Sequence, residues 1–227
     1  MDKITIVVPA YNEQNRIKST LQNILSEFKG HEVIVVSDGS TDATADIVRG
    51  FPEVTLIVSE KTCGKGASIV KGIRRATGDV VGFLDADGSF QPSQIKRLIN
   101  ELSIGADCVI ASKWVGKSFS EVGESTARKL AGRVWNLFVR VLLGLNISDT
   151  QAGAKFMRKN VFDAVDSDFI CSGFEFDVEL LYRIQKKGYT IKEVYLPFKD
   201  VEASTFRYGK TPRMFLNLIK IFVGIRL

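Results

Sequence analysis

Residues Phe83-Leu84-Asp85-Ala86-Asp87-Gly88-Ser89-Phe90 end an apolar run in two aspartates one residue apart. In an extended stretch both carboxylates face one side, where they repel each other unless a cation sits beside them. The cation that suits two carboxylates and a substrate diphosphate is hard and oxygen-loving, Mg²⁺ or Mn²⁺. Asp-x-Asp-Gly also occurs as a plain turn, and its place after an apolar strand-like run is what favours metal over turn. Gly88 is expected to leave room for close approach to the pair. Asp38 ends a second apolar run, and Tyr11 and Glu13 follow a third. Gly64-Lys65-Gly66 reads as a backbone turn that brings a lysine to phosphate, or as a surface loop.

Other chemistries find little support. The sole histidine, His31, follows Gly30 at the start of an apolar run, which disfavours Ser-His-Asp and Cys-His systems. No Gly-x-Gly-x-x-Gly follows the first run, which weakens a dinucleotide-binding reading. Cys63, Cys108 and Cys171 are odd in number and far apart, as suits a reducing compartment rather than a disulfide framework or zinc site. The opening Met1-Asp2-Lys3 leads straight into a strand-like run with no signal-peptide pattern, so a cytoplasmic protein is expected.

The elements that must position these groups alternate regularly. Strands are expected at Ile4–Val8, His31–Ser37, Val54–Ser59, Val80–Leu84 and Asp107–Ala111. Between them, helical spacing runs through Ile17, Leu21, Ile24, Leu25 and Phe28, through Ile47 and Val48, from Ala67 to Ala76, and onward from Pro92. Such alternation predicts an α/β fold, a mostly parallel sheet with helices on both faces. In an open parallel sheet, ligands bind at the carboxyl ends of the strands. Asp38, Asp85 and Asp87 fall at such ends.

After residue 111 the rhythm breaks. Residues 112–125 read as a loop, followed by a basic amphipathic helix from Thr126 to Leu143 carrying Arg128, Lys129, Arg133 and Arg140. A helix is expected over Phe174–Lys187, a strand over Thr190–Tyr195 and a last helix over Arg213–Leu227. Arg213, Asn217, Lys220 and Gly224 form a polar stripe on that last helix, with apolar residues elsewhere. Too short and too charged to span a bilayer, it suits either a membrane interface or packing on the domain. A domain over 1–205 and a basic C-terminal segment over 206–227 result. Five of the 31 Lys and Arg lie from Ala203 onward, where there is no Asp or Glu. The remaining 26 basic residues balance the 26 acidic ones, so the net charge of +5 belongs to the C-terminus and points to an anionic partner.

The ordered motifs VVPAYNE, VSDGSTDAT, GKG, LDADG, DTQAGAKFM and GFEFDVELL resemble those of family 2 glycosyltransferases, and within them the branch that makes dolichyl-phosphate mannose or glucose. The resemblance spans nearly the whole chain and implies a GT-A fold. By position, it implies that Pro9, Ala10, Tyr11, Glu13 and Asp38 line the nucleotide pocket. It assigns Asp85, Ala86 and Asp87 to the DxD segment that holds metal and donor diphosphate. Lys65 would lie near phosphate, and Lys113 would contact the donor diphosphate or the acceptor phosphate. Arg128 and Arg207 align with basic residues near the acceptor, a polyprenyl phosphate. Ser89 stands where mannose synthases often have glutamine, and Gly209-Lys210-Thr211-Pro212 stands for their Gly-x-Ser-Lys. DADG reads more like the glucose branch, so UDP-glucose and GDP-mannose both remain as donors.

Three functions follow. The first is inverting, metal-dependent hexose transfer to a polyprenyl phosphate by a protein peripheral to the cytoplasmic face of a membrane, with no nucleic-acid partner. An acceptor phosphate is already ionised near neutral pH and needs no strong base. The second is transfer to a sugar hydroxyl, which does need a base, Glu175 or Asp177. Either could equally be a carboxylate stabilised at a helix N-terminus. The third is a catalytically silent protein that binds nucleotide-sugar or lipid, which the intact aspartate pair disfavours.

Overall fold

The computed structural model describes residues 2–197 and 211–224. Seven strands form one sheet in the order β3-β2-β1-β4-β6-β5-β7. They are β1 (Ile4–Ala10), β2 (Glu32–Asp38), β3 (Val54–Ser59), β4 (Val80–Leu84), β5 (Cys108–Ser112), β6 (Ala154–Arg158) and β7 (Ile191–Tyr195). The helices are α1 (Ile17–Glu27), α2 (Thr44–Arg49), α3 (Lys65–Arg75), α4 (Pro92–Ser103), α5 (Thr126–Leu143), α6 (Lys159–Val165), α7 (Phe176–Lys186) and α8 (Thr211–Gly224). The expected mostly parallel sheet is present. β1 pairs in parallel with β2 and β4, as do β2 with β3 and β5 with β7.

The period of two along each strand divides the core between the faces. Val7, Ile34, Val36, Val81 and Phe83 pack with α3 and α7 residues such as Ile69, Ile73, Phe176 and Leu180. Ile6, Val8, Val33, Val35 and Leu84 pack with Leu21, Ile24, Ile95 and Leu98 of α1 and α4 on the other. Strands buried on both faces read as continuous apolar runs, which is why β1, β2 and β4 stand out in the sequence.

One strand does not. β6 lies antiparallel between β4 and β5, with Phe83 opposite Lys155 and Leu84 opposite Ala154. Its sequence, Ala-Lys-Phe-Met-Arg, has a lysine where a central strand is expected to be apolar. That lysine is fully buried. α6 follows at once and was equally absent from the sequence pattern.

α5 and α8 pack together through Phe215, whose ring meets Trp135 and Phe138 edge-on at 5.5 and 4.9 Å. α8 lays Met214, Leu218 and Ile221 into the core while Leu216, Ile219 and Val223 stay exposed. Packing and exposure thus belong to opposite faces of this helix. Asn217 was expected in an outward polar stripe, but it is buried and donates through Nδ2 to Glu175 Oε1. α5 is likewise turned against its sequence pattern. Leu130, Val134, Leu137, Phe138 and Val141 face outward, Lys129 donates to the Phe119 carbonyl at 2.9 Å, and Arg133 lies over the Trp114 ring at 4.2 Å. Lys129 and Arg133 find partners in the 112–125 loop while Trp135, Val139 and Leu143 take the core face, and the other apolar stripe is left outside. The boundary expected between 205 and 206, along with Arg207, lies outside the described residues.

Leu218 is fully buried. Leu218→Ala should lower unfolding free energy by about 2–5 kcal/mol, the usual cost of emptying a buried leucine site. Urea denaturation measures this, and a loss below about 1 kcal/mol would mean α8 is not docked on the core.

Candidate active site

The carboxyl ends of β1, β2 and β4 converge with the first turn of α3. Past β1, Asn12 takes a left-handed φ of 55° and its Oδ1 accepts from Thr41 N at 2.9 Å. Glu13 N donates to Thr44 Oγ1 at 2.8 Å, so the segments after β1 and β2 brace each other. Pro9 and Ala10 end β1, Tyr11 is exposed beside them, and Glu13 is buried against Arg16 at 2.6 Å. Asp38 is buried at the end of β2. It accepts from Cys63 N at 2.7 Å and Gly64 N at 2.8 Å, which fixes the turn into α3. The expectation of Asp38 as a base-binding residue therefore meets a carboxylate already engaged by two backbone donors.

That turn starts α3 at Lys65 rather than Ala67, and it aims the lysine at the end of β4. Lys65 Nζ lies 2.8 Å from Asp85 Oδ1, 3.1 Å from Asp85 Oδ2 and 3.8 Å from Asp177 Oδ2. Of the two readings of Gly64-Lys65-Gly66, the structure shows a helix-start turn rather than a loose surface loop. Asp85 N donates to Gly153 O at 2.8 Å. Ala86 O accepts from Thr20 Oγ1 at 2.9 Å, and Asp87 Oδ1 accepts from Ser89 N at 2.9 Å and Ser89 Oγ at 2.6 Å.

Room directly beside Asp85 comes from a second glycine, Gly153. A Cβ on Gly88 would meet nothing within 4 Å; the residue serves the turn through its φ of 74°. A Cβ on Gly153 would fall 2.4 Å from Asp85 Oδ2 and 2.7 Å from its Cγ. The glycine of the DTQAGAKFM segment makes the space.

Electrostatically the site is a carboxylate cluster under strain. Burial, with Asp87 and Asp177 adding to it, raises the Asp85 carboxyl above the ordinary range against the pull of Lys65. Burial, Asp87 and Asp85 also raise Glu13, although Arg16 opposes them. Burial opposes the charge of Lys65, but Asp85 and Asp177 outweigh it and hold the ammonium above the usual lysine value. Asp85 Oδ1 is buried and accepts no hydrogen bond, since Lys65 approaches it outside hydrogen-bonding geometry. Among the described residues no cluster of three His, Cys, Asp or Glu side chains could hold a metal by itself. The donor set fits a hard cation that takes further oxygens from a bound diphosphate.

Behind the cluster lies a feature the sequence pattern did not flag. Lys155 Nζ reaches Asp177 Oδ1 at 2.6 Å and Ala152 O at 2.7 Å, with neither side chain appreciably exposed. Asp177 is thus an ion-pair partner, and Glu175 is buried and receives Asn217. Lys113, just past β5, pairs with Glu124 at 2.8 Å, and its N–H reaches Asp149 Oδ2 at 3.4 Å. Burial raises Asp149, with Lys113 and Lys155 pulling the other way. Arg128 is half-buried at the start of α5.

The sequence profile of Glycosyl transferase family 2 matches residues 5–166, which span β1 to α6 and include every strand end described above. The chain belongs to this family. It is a glycosyltransferase. An undecaprenyl-phosphate mannosyltransferase of Micrococcus luteus is 33% identical over 210 residues, 88% of this chain and 85% of that protein. A dolichyl-phosphate beta-glucosyltransferase of Trichomonas vaginalis is 28% identical over 243 residues, 99% of this chain and 74% of that one. Among solved structures, the glucosyl-3-phosphoglycerate synthase of Mycobacterium tuberculosis with Mn²⁺, UDP and phosphoglyceric acid superposes with a TM-score of 0.75 at 21% identity, covering 97% of this chain and 78% of that one. That likeness establishes the GT-A-type fold of this family 2 glycosyltransferase.

Gly153→Ala tests the geometry. The added methyl should displace Asp85 while costing about 1–3 kcal/mol of stability, the usual penalty of overpacking. Sugar transfer should fall about 100-fold, the loss a misplacement of about 1 Å can cause. Activity within twofold of the parent would show that the close approach of Gly153 to Asp85 is unimportant.

Proposed function

We propose that this chain transfers a hexose, glucose or mannose, from a nucleotide-sugar to a polyprenyl phosphate, with inversion and with dependence on a divalent metal. The observation that carries this reading is the Asp85-Ala86-Asp87 segment, braced by Thr20, Ser89 and Gly153, with buried Asp85 Oδ1 lacking a hydrogen bond. Asp85 and Asp87 are the residues that would hold Mg²⁺ or Mn²⁺, and such an ion would supply positive charge beside the diphosphate of the leaving group. Pro9, Ala10, Tyr11, Glu13 and Asp38 border the nucleotide pocket, and Lys65 stands beside the diphosphate. An acceptor phosphate oxygen forms the bond to the anomeric carbon, and the bond from that carbon to the β-phosphate oxygen breaks. The nucleoside diphosphate leaves with the electron pair. Relatives named for undecaprenyl-phosphate and dolichyl-phosphate transfer support the acceptor class. Solved neighbours with Mn²⁺ or Mg²⁺ and UDP support the metal and a nucleoside diphosphate.

The engagement of Asp177 by Lys155 and of Glu175 by Asn217 leaves neither poised as a base. That favours a phosphate acceptor, ionised without help, over a sugar hydroxyl.

The same reading includes a membrane contact formed by α5 and α8. Among the described residues no helix is long and apolar enough to cross a membrane. The two helices nevertheless expose Leu130, Val134, Leu137, Phe138, Val141, Leu216, Ile219 and Val223, and they contain no acidic residue. Apolar stripes at helical spacing on helices whose own charged residues are all basic fit the surface of an anionic leaflet.

Two experiments test this. With a short polyprenyl phosphate, UDP-glucose or GDP-mannose and Mn²⁺, a glycolipid should form. EDTA should abolish it, and Asp87→Ala should lower it at least about 100-fold, the scale of one lost electrostatic group, without loss of folding. Full activity of Asp87→Ala in chelator overturns the metal reading. For the membrane contact, Leu137→Glu with Val223→Glu should prevent sedimentation with phosphatidylserine vesicles, and the parent's binding should weaken as salt rises. Unchanged sedimentation of the double variant would remove the α5–α8 face from the reading.

A further inference from the structure

Four charged groups beside and behind the aspartate pair form a chain of alternating sign. Lys155 is fully buried and pairs with Asp177 Oδ1 at 2.6 Å. Asp177 presents its other oxygen, Oδ2, to Lys65 at 3.8 Å, and Lys65 lies 2.8 Å from Asp85. The two ammonium groups stand over the same ring, Phe83, at 5.3 and 5.5 Å from its centroid. Lys155 comes from β6, Asp177 from α7, Lys65 from α3, and Asp85 follows β4. Nothing in the proposed transfer requires Lys155 to touch substrate.

We propose that Lys155 and Asp177 are positioning residues that set how Lys65 is shared between Asp177 and Asp85, and thereby how readily the aspartate pair accepts a divalent cation. This rests on the metal reading of Asp85 and Asp87. Lys65 competes with the metal for Asp85, because one carboxylate oxygen cannot serve both fully. Lys155 occupies half of Asp177 and so limits that residue's hold on Lys65. Without the Lys155 charge, Asp177 draws Lys65 toward itself and uncovers Asp85. Without the Asp177 charge, Lys65 is left to Asp85 alone and covers it.

The two substitutions are therefore expected to act in opposite directions, which simple loosening of the fold would not produce. Mn²⁺ alone, titrated into the full chain and followed by electron paramagnetic resonance, reads this without turnover. The parent should bind one ion at a site lost in Asp87→Asn. Lys155→Met should tighten it and Asp177→Asn should weaken it. Each shift should be about tenfold, the size expected for a charge moved a few ångströms at an effective dielectric of about 20. Lys155→Met/Asp177→Asn should return near the parent value. A direct field effect of the two charges is separated from the relay in a Lys65→Met background, where both shifts should shrink to less than about twofold.

Should Lys155→Met fail to fold, Asp177→Asn and the double variant still give the decisive pair, weakened and restored. Shifts in the same direction, or shifts undiminished in the Lys65→Met background, overturn the relay while leaving the metal site standing. Absence of a site that depends on Asp87 in the parent overturns the metal reading, and the relay with it.

Discussion

Two ammonium groups flank the Phe83 ring, and each faces a carboxylate that would otherwise be buried without a counterion. Isolated charges at this depth cost several kcal/mol each, so the fold depends on their pairing. The pairing is incomplete. Burial raises the Asp85 carboxyl, with Asp87 and Asp177 adding to it against Lys65, and burial with Asp87 and Asp85 raises Glu13 against Arg16. A carboxyl raised in this way favours the fold fully only below its unfolded value. That contribution is lost as pH rises through the raised value. Near neutral pH the cluster is therefore a local destabilisation held in place by the rest of the sheet, and a bound cation would relieve it.

The reversal of β6 is what makes the arrangement geometrically possible. Its antiparallel register sets Lys155 opposite Phe83 and Ala154 opposite Leu84, which carries Gly153 to the level of Asp85. One strand thus supplies the empty space beside the aspartate, and two residues later the buried cation that holds Asp177. The period of two places Lys155 on the face covered by α3 and α7, where Lys65 and Asp177 are found. A shift of register by one residue would turn Lys155 to the other face and separate it from Asp177.

These facts also divide what the sequence could reveal from what it could not. β1, β2 and β4 were legible because strands buried on both faces are dominated by Val, Ile, Leu and Phe. The aspartate pair was legible because its residues are adjacent in sequence. β6 was not, because a buried lysine interrupts it, and the counter-charge that makes the burial tolerable, Asp177, is distant in sequence. Gly153 shows the same limit. The glycine packed directly against Asp85 is 68 positions from it along the chain. Asn217 looked like part of a solvent-facing stripe, and only its partner Glu175 explains why it points inward.

α5 and α8 carry that argument to the surface. Helical periodicity fixes which residues share a stripe but not which stripe meets the core. In α5 it is Trp135, Val139 and Leu143 that enter the core, Phe119 and Trp114 take Lys129 and Arg133, and Leu130, Val134, Leu137 and Val141 face outward. Phe215 packs α8 against the same helix, with Leu216, Ile219 and Val223 outward and Asn217 inward against Glu175 beside the buried Met214, Leu218 and Ile221. A helix with its side chains is about 10–12 Å across. The apolar surface and the Glu175-Phe176-Asp177 start of α7 therefore lie on opposite sides of a single helix, and Asp177 continues to Lys65 and Asp85. The exposed stripe of α8 is therefore connected to the aspartate pair through buried polar contacts, Asn217 to Glu175 at the start of α7 and Asp177 through Lys65 to Asp85.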